Sequence, residues 1–395
     1  MFCAPGNAGT AEIATNLNIG AEDFDGILNW AKENKPDLTV VGPEIPLCAG
    51  LADLLNAEGL RVFGPSKKAA QIEGSKLFAK EVMTAGGVPT AQFREFTDAE
   101  QAYEYVRDTG VPIVIKADGL AAGKGVFVCS TLKDAKNAIN KIITDKAFGK
   151  AGNRLLVEEC LIGEEASVLA LIDGENIVML PSAQDHKRVF NNDAGPNTGG
   201  MGAYSPASVI TNKLWPVIKE QVFRRTLTEL KKRGIVYKGV LYAGLMITSS
   251  GPKVLEFNCR FGDPETQVIL PRIKNDLVPA LEACIDGTLK QDMAACLPES
   301  CVCVVMASGG YPDAYEKGKV IEGLEATKKL NNVIVFHAGT KPDNGKVITS
   351  GGRVLGITAL GQDMKSSIKR AYFAITKLRF DQAQYRTDIG DKARK

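Results

Sequence analysis

The chain has no excess of charge of one sign: 48 Lys and Arg stand against 46 Asp and Glu in 395 residues. That balance removes the broad cationic field that nucleic acids or acidic membrane surfaces select. Any anion site must therefore be local. No apolar run reaches the roughly 18 residues needed to cross a bilayer, and the opening "MFCAPGNAGTAEI" carries neither the cationic flank nor the apolar stretch of a secretory signal. The nine cysteines show neither CxxC nor Cys/His zinc spacing, so they read as reduced thiols of a cytosolic-type compartment. Cys301 and Cys303 alternate on an expected strand and read as small buried apolar residues. Internal repeats and low-complexity tracts are also missing.

What is present is 45% hydrophobic and 24% charged residues, enough for a sizeable core in two to four domains or lobes. Residues 1–68 alternate short apolar runs ("LTVVGP", "RVFGP") with helix-like stretches ("FDGILNWAKENK", "CAGLADLLNAEG"), the pattern of an α/β unit with parallel strands. A central part, 69–290, holds helices and strands and includes a mobile lid at about 113–181. A last unit, 300–395, has "CVCVVMAS", "VIVFHAG" and "RVLGITALG" as strands, then a helix near 363–378.

Three stretches carry chemistry. In "IVIKADGLAAGKGVFVC", 113–129, apolar strands flank Gly119, Gly123 and Gly125. The turn between them can bring bare backbone N–H groups to a polyphosphate, with Lys116 and Lys124 adding charge. It is not the GxxxxGK[ST] pattern, and a strand-loop-strand setting differs from a dinucleotide fingerprint; a plain turn is the competing reading. In "KVLEFNCRFGDPETQ", 253–267, period-two alternation sends Glu256 and Asn258 to one face, a hard-oxygen pair suited to Mg²⁺. Leu255 and Phe257 then face the core, although Val254 shares the parity of Glu256 and is apolar. In "LLVEECLIGEEASVLALI", 155–172, Glu158, Glu159, Glu164 and Glu165 flank an apolar turn, as acceptors for adenine and ribose or as ordinary surface carboxylates.

A fourth stretch, "QDHKRVFNNDAGPNTGGMGAYSPA" at 184–207, sets Asp185, His186, Lys187 and Arg188 beside a glycine loop. With "APGNAGTA", "IEGSK", "IKADGLAAGKG", "EFNCRFGDPETQ" and "FHAGT" in order, the chain resembles the ATP-grasp ligases over nearly its whole length. Within them it is similar to the glycinamide ribonucleotide synthetase family. The resemblance implies an α/β architecture: an ATP-grasp fold with an N-terminal Rossmann-like (preATP-grasp) domain lacking its first strand, and a C-terminal α/β domain. It implies a carbon-nitrogen ligase of purine biosynthesis that joins glycine to 5-phosphoribosylamine as ATP becomes ADP and phosphate.

By that resemblance, Lys76 and Lys116 hold the α- and β-phosphates, and the 119–125 loop (Gly119, Gly123, Lys124, Gly125) closes over the triphosphate. Glu158 and the backbone near Leu161 read adenine, and Glu165 the ribose. Glu256 and Asn258 bind Mg²⁺ or Mn²⁺. "VLYAGLMI" offers no third carboxylate, so phosphates and water complete the shell. The 195–202 loop (Pro196, Asn197, Thr198, Gly199, Gly200, Met201, Gly202) offers amides to substrate oxyanions. Lys187, Arg188 and Arg260 act as countercharges, Asp185 and Asp263 accept from the substrate amines, and Glu265 and Arg353 complete the substrate site. Lys187, Arg260 and Asp263 are the expected catalytic set.

The chemistry fits this inventory. Phosphoryl transfer to the carboxylate of glycine needs positioning and charge neutralisation more than a protein nucleophile. The resulting glycyl phosphate hydrolyses readily, which gives a water-excluding lid its purpose. His186 reads as a hydrogen-bonded structural residue, and His337 as structural on a C-terminal strand. In the family, an opening strand and a phosphate-binding turn precede "APGNAGTA"; this chain begins after them, and a shortened gene model, in preference to a natural short form, is the expectation. Two alternatives stand: another ATP-grasp ligase, or a non-catalytic nucleotide-binding remnant. The expected partners are glycine, 5-phosphoribosylamine and ATP, with no nucleic acid and no membrane, in a cytoplasmic monomer or weak homodimer.

Overall fold

Residues 1–121 and 124–394 are described by a computed structural model, so the expectation for Gly123 lies outside the described residues. The N-terminal part forms two short parallel pairs, Phe2–Cys3 with Thr15–Asn16 and Thr39–Val40 with Val62–Phe63. Helices Phe24–Asn34, Glu44–Ala49 and Leu51–Ala57 accompany them. The parallel pairing expected from the alternating pattern is found, but the two pairs are separate sheets. Phe2 and Val40 are half-exposed, at 51% and 47%. Leu47, Leu51 and Leu55 pack into one core with Val168, Leu241 and Phe257, so this part rests on the sheet that follows.

Two serine-capped helices, Lys67–Gly74 and Lys76–Gly86, lead into the centre. Ser66 accepts from Ala69 N, and Ser75 from Phe78 N, each satisfying an amide left free in the first turn. Beyond them, strands Phe93–Phe96, Leu155–Glu159, Ile113–Ala117 and Val126–Cys129 form an antiparallel sheet in that order. Helices Ala99–Thr109 and Leu132–Ile139 share a separate core with it, including Val106, Ile115, Ala135 and Val157.

This separate unit runs from Phe93 to Glu159, not from 113 to 181. The strand Glu164–Asp173 instead pairs along its length with Lys238–Thr248. Together with Ile177–Met179 and Gly251–Asn258 these make a second antiparallel sheet. Its last strand is bulged. Gly244 faces Glu256 while the next residue, Leu245, faces Val254, so Leu255 is extra. The bulge resets the alternation: Val254 and Phe257 are in the core, and Leu255 is turned to a cleft. That replaces the expected inward pair of Leu255 and Phe257, and it accounts for the apolar Val254.

The third sheet runs Gln184–Asp185, Gly202–Ser205, Ser300–Ser308, Arg353–Gly361, Val333–His337, all antiparallel. Helix Met364–Ile375 covers it, started by a capping box between Asp363 and Ser366. Cys301 and Cys303 are fully buried in it, and all nine cysteines are free thiols. Strands from either end of the 184–207 stretch thus belong to the C-terminal sheet, which suspends the glycine loop between the second and third sheets. No helix among the described residues is long and apolar enough to cross a membrane.

Candidate active site

A cleft of about 1520 Å³ opens where the three larger sheets meet, and most of the expected site residues line it. Its first end is built on regular elements. Lys116 comes from the strand Ile113–Ala117, Glu158 from Leu155–Glu159, and Lys76 and Lys80 from one helix, four residues apart. Lys80 and Lys116 each place Nζ 3.0 Å from Glu158 Oε2, and all three side chains are buried. Lys80 also donates to Thr90 Oγ1 and Ala91 O. Lys116 donates to Leu255 O at 3.0 Å, the carbonyl presented by the bulge.

Two buried cations face one anion, an arrangement that leaves net positive charge at the cleft wall. Burial pushes the Lys80 ammonium down to about 8, against the pull of Glu158. Burial also lowers Lys76, whose Nζ donates to Gly119 O at 2.8 Å. Glu158 Oε1 is buried with no hydrogen-bond partner among the described residues. A buried acceptor of this kind is costly unless a ligand donor meets it. Lys80 was not singled out by sequence reasoning; its i+4 spacing from Lys76 on a helix was the available signal.

The glycine turn is fastened to this end. Asp118 accepts from Ser75 Oγ and Leu77 N, and pairs with Arg154 at 2.8 Å. Gly119 sits at φ +137, and a Cβ there would meet Ala151 at 2.8 Å; one on Gly125 would meet Ala121 at 2.7 Å. Both glycines and Leu161 line the cleft, whereas Lys124 is exposed outside it.

Glu256 and Asn258 line the same cleft. Burial raises the Glu256 carboxyl, but Lys187, Lys116, Lys76 and Arg260 outweigh it and hold the group below its ordinary range. It is therefore an ionised carboxylate beside an amide oxygen, and both are hard donors. Among the described residues no group of three His, Cys, Asp or Glu side chains forms a metal cage.

Arg260 is more tightly held than a free countercharge would be. Its guanidinium pairs with Glu44 at 3.0 Å and Glu73 at 3.1 Å, and it donates to Phe261 O. Burial lowers its pKa, and Glu73 and Glu44 raise it further than burial lowers it. Glu44 comes from the N-terminal part and Glu73 from the helix Lys67–Gly74, and nothing in the local pattern singled them out. Glu265 is buried in a ring with Ser167 and Tyr242, accepting at 3.0 and 2.7 Å.

The far end holds the glycine loop. Lys187 pairs with Glu165 at 2.9 Å. Burial pushes the Asp185 carboxyl up to about 7, with Lys187 opposing and Glu265 and Glu165 reinforcing. Arg353 clamps Asp263 with Nη2 at 2.7 Å from Oδ2, and its Nη1 donates to Gly199 O at 2.6 Å. Asn197, Thr198 and Gly199 line the cleft; Pro196, Gly200, Met201 and Gly202 do not. Met201 is fully buried against Val189 and Ala307.

The loop amides differ from expectation. Thr198 N donates to Lys187 O, Gly199 N to Tyr311 OH, Gly200 N to Thr198 Oγ1 and Met201 N to His186 O. They stabilise the loop instead of pointing at a ligand. His186 is buried as expected, but neither ring nitrogen has a partner among the described residues, and burial with Arg386 nearby holds it neutral, down at about 4. His337 binds Thr340 Oγ1 at 3.0 Å on its strand.

Sequence and fold comparisons agree with this geometry. The chain matches the phosphoribosylglycinamide synthetase family model in three consecutive parts: the N domain over 1–73, the ATP-grasp (A) domain over 74–266 and the C domain over 301–392. It is 50% identical over 400 residues to the phosphoribosylamine–glycine ligase of Rhodopirellula baltica, covering 100% of this chain and 92% of that protein. With the Salmonella typhimurium enzyme of the same name the identity is 49% over 397 residues, with the same coverage. The crystal structure of phosphoribosylamine–glycine ligase from Thermotoga maritima superposes with a TM-score of 0.85 at 34% identity, covering 98% of this chain and 93% of that one. A biotin carboxylase–βγ-ATP complex from Campylobacter jejuni has a TM-score of 0.75 at 15% identity, over 97% and 87% of the two chains, and shares the fold alone.

Proposed function

The chain belongs to the phosphoribosylglycinamide synthetase family of ATP-grasp carbon-nitrogen ligases, and on that premise we propose how its cleft joins glycine to 5-phosphoribosylamine at the expense of ATP. The observation that carries the assignment of ends is the Lys80–Glu158–Lys116 array beside Lys76, opposite Glu256 and Asn258 in one cleft. Lys76 and Lys116 take the α- and β-phosphates. Glu158 Oε1, which lacks a partner among the described residues, takes the amino group of adenine, with the backbone near Leu161 beside it and Glu165 on the ribose. Lys80 neutralises and orients Glu158.

Glu256 and Asn258 would hold the divalent cation, Mg²⁺ or Mn²⁺, which when bound neutralises charge on the phosphate oxygens. The rest falls to the chain itself. A glycine carboxylate oxygen attacks the γ-phosphorus, the bond to the ADP oxygen breaks, and glycyl phosphate forms. The amine of phosphoribosylamine then attacks the glycyl carbonyl carbon, and phosphate leaves with the C–O electron pair. Lys187 and Arg260 balance the anionic charge during both transfers. Asp185, with a carboxyl pushed up to about 7, suits acceptance of the proton the amine loses. Asp263 holds the glycine end through its clamp with Arg353. The unit Phe93–Glu159, which has a core of its own, closes over the triphosphate and excludes water. The chain divides by this reading into an N-terminal part, 1–68, an ATP-binding part, 69–290, which lends strands Gln184–Asp185 and Gly202–Ser205 to the C-terminal sheet, and a C-terminal part, 300–395.

Phosphate release from ATP and a divalent cation, with glycine and with or without freshly made phosphoribosylamine, tests this reading. Release should require both substrates. Release indifferent to glycine would refute it.

A further inference from the structure

We infer that the C-terminal segment 386–392 is a clasp that sets the substrate hairpin 188–200, with Arg386 as its positioning residue. The hairpin pairs Arg188–Phe190 with Ala194–Asn197. Its turn passes through Asn192 at φ +59 and Asp193 at φ +52. Such left-handed conformations cost free energy in non-glycine residues, though Asn and Asp bear it best. They persist where surrounding contacts over-determine them.

Arg386 supplies those contacts. Its side chain is 1% exposed. Nη1 donates to Arg188 O at 3.0 Å on one strand and to Asp193 Oδ1 at 2.9 Å across the turn. Nε and Nη2 grip both oxygens of Asp388 at 2.8 and 2.7 Å. Asp388 Oδ2 in turn accepts from Asn192 N at 2.8 Å. The planar fork thus fixes one strand and the turn at once, a task a point charge cannot perform. On the outer side Lys392 pairs with Asp193 Oδ2 at 2.7 Å. Lys392, Asp193 and Arg188 all line the cleft.

The network therefore continues into the wall that bears Lys187, Asn197 and Gly199. It touches none of the residues assigned to the nucleotide. Residues almost two hundred positions downstream set where the hairpin presents those groups.

This inference rests on assigning the hairpin end to glycine and phosphoribosylamine. The test compares the unmodified chain with Arg386→Lys, which keeps the charge and loses the fork. Michaelis constants for all three substrates are measured, together with amide hydrogen exchange across 188–200. The Michaelis constants for glycine and phosphoribosylamine should rise about tenfold and exchange in 188–200 should speed up about tenfold, with the constant for ATP within about twofold. Equal changes in all three constants, or none with unchanged exchange, would overturn the clasp. If Arg386→Lys does not fold, Lys392→Met, a half-exposed site, should move the same two constants and the same amides about threefold; no change there overturns the inference. If the unmodified chain releases no phosphate, the proposed reaction is what fails. The exchange arm still decides the clasp.

Discussion

The two ends of the cleft are made in different ways. At the nucleotide end, charged groups sit on regular strands and one helix, buried, and their positions follow from sheet register: Lys116 faces Leu156, and Val114 faces Glu158. At the substrate end the groups sit on a hairpin and loops, and side chains hold them to distant backbone, as Arg353 holds Gly199 and Arg386 holds Arg188. Register is shared by a whole sheet and is difficult to perturb locally. A loop held by a few side chains can be moved by changing one of them. Strong, local electrostatics marks the first end, and adjustable positioning the second.

Substitutions at the first end should therefore reach further. Glu256→Ala removes the ionised oxygen donor of the proposed metal pair and should lower metal-dependent turnover by about a thousandfold, with the fold intact by circular dichroism. Activity within tenfold of the parent at saturating ATP would take Glu256 out of the metal site. Next in size, Glu158→Ala leaves Lys80 and Lys116 buried without their shared anion, at a cost of about 3 kcal/mol in chemical denaturation and with weaker ATP binding. Unchanged stability would mean that the array is hydrated in solution. Gly125→Val puts a side chain where Ala121 lies 2.7 Å from a Cβ. It should cost about 1–3 kcal/mol and raise ATP hydrolysis that is uncoupled from ligation; tight coupling in that variant counts against the lid.

The smallest expected effect belongs to the second end and sharpens the contrast. Burial raises the Asp193 carboxyl, but hydrogen bonds from Lys392 and Arg386 hold it down at about 2, and Asp388 is lowered by the same guanidinium. A depressed carboxylate contributes stability that is complete above its unfolded pKa of 3.8 and is lost as pH falls through the folded value. Denaturation midpoints should thus fall between about pH 4 and pH 2, less steeply in Asp193→Asn. Because Asp193 is 41% exposed, solvent screening keeps the change small. Identical slopes in parent and variant would show that Asp193 is not the group that titrates.

Motifs made the nucleotide end legible because its chemistry depends on short-range spacing. Lys116, Gly119, Gly125, Glu158, Glu256 and Asn258 were all named from local pattern or from the resemblance, and all reach one cleft. Lys80 was missed although helical spacing placed it beside Lys76, because a buried lysine declares itself only with its partner. The phase of the strand 251–258 was misread for another reason. A bulge is specified by pairing with a neighbour, here the step between Gly244 and Leu245, and parity in one strand cannot reveal it. The partners of the loop amides are not legible in local pattern, because Lys187 O is brought to Thr198 N by the hairpin 188–197, His186 O to Met201 N beside the third sheet, and Tyr311 OH to Gly199 N from a segment more than a hundred residues downstream.

By itself the sequence determined the alternating α/β plan, the glycine turn, the paired hard-oxygen donors, and a family whose motifs occur in order. Each is a property of residues near one another along the chain, where periodicity and backbone freedom act directly. Tertiary structure alone decided which charges are neutralised. Arg260 is engaged by Glu44 and Glu73, Glu158 by two lysines, and the hairpin by Arg386. Coulombic and hydrogen-bond energies depend on distance in space and on burial, neither of which exists until the sheets meet.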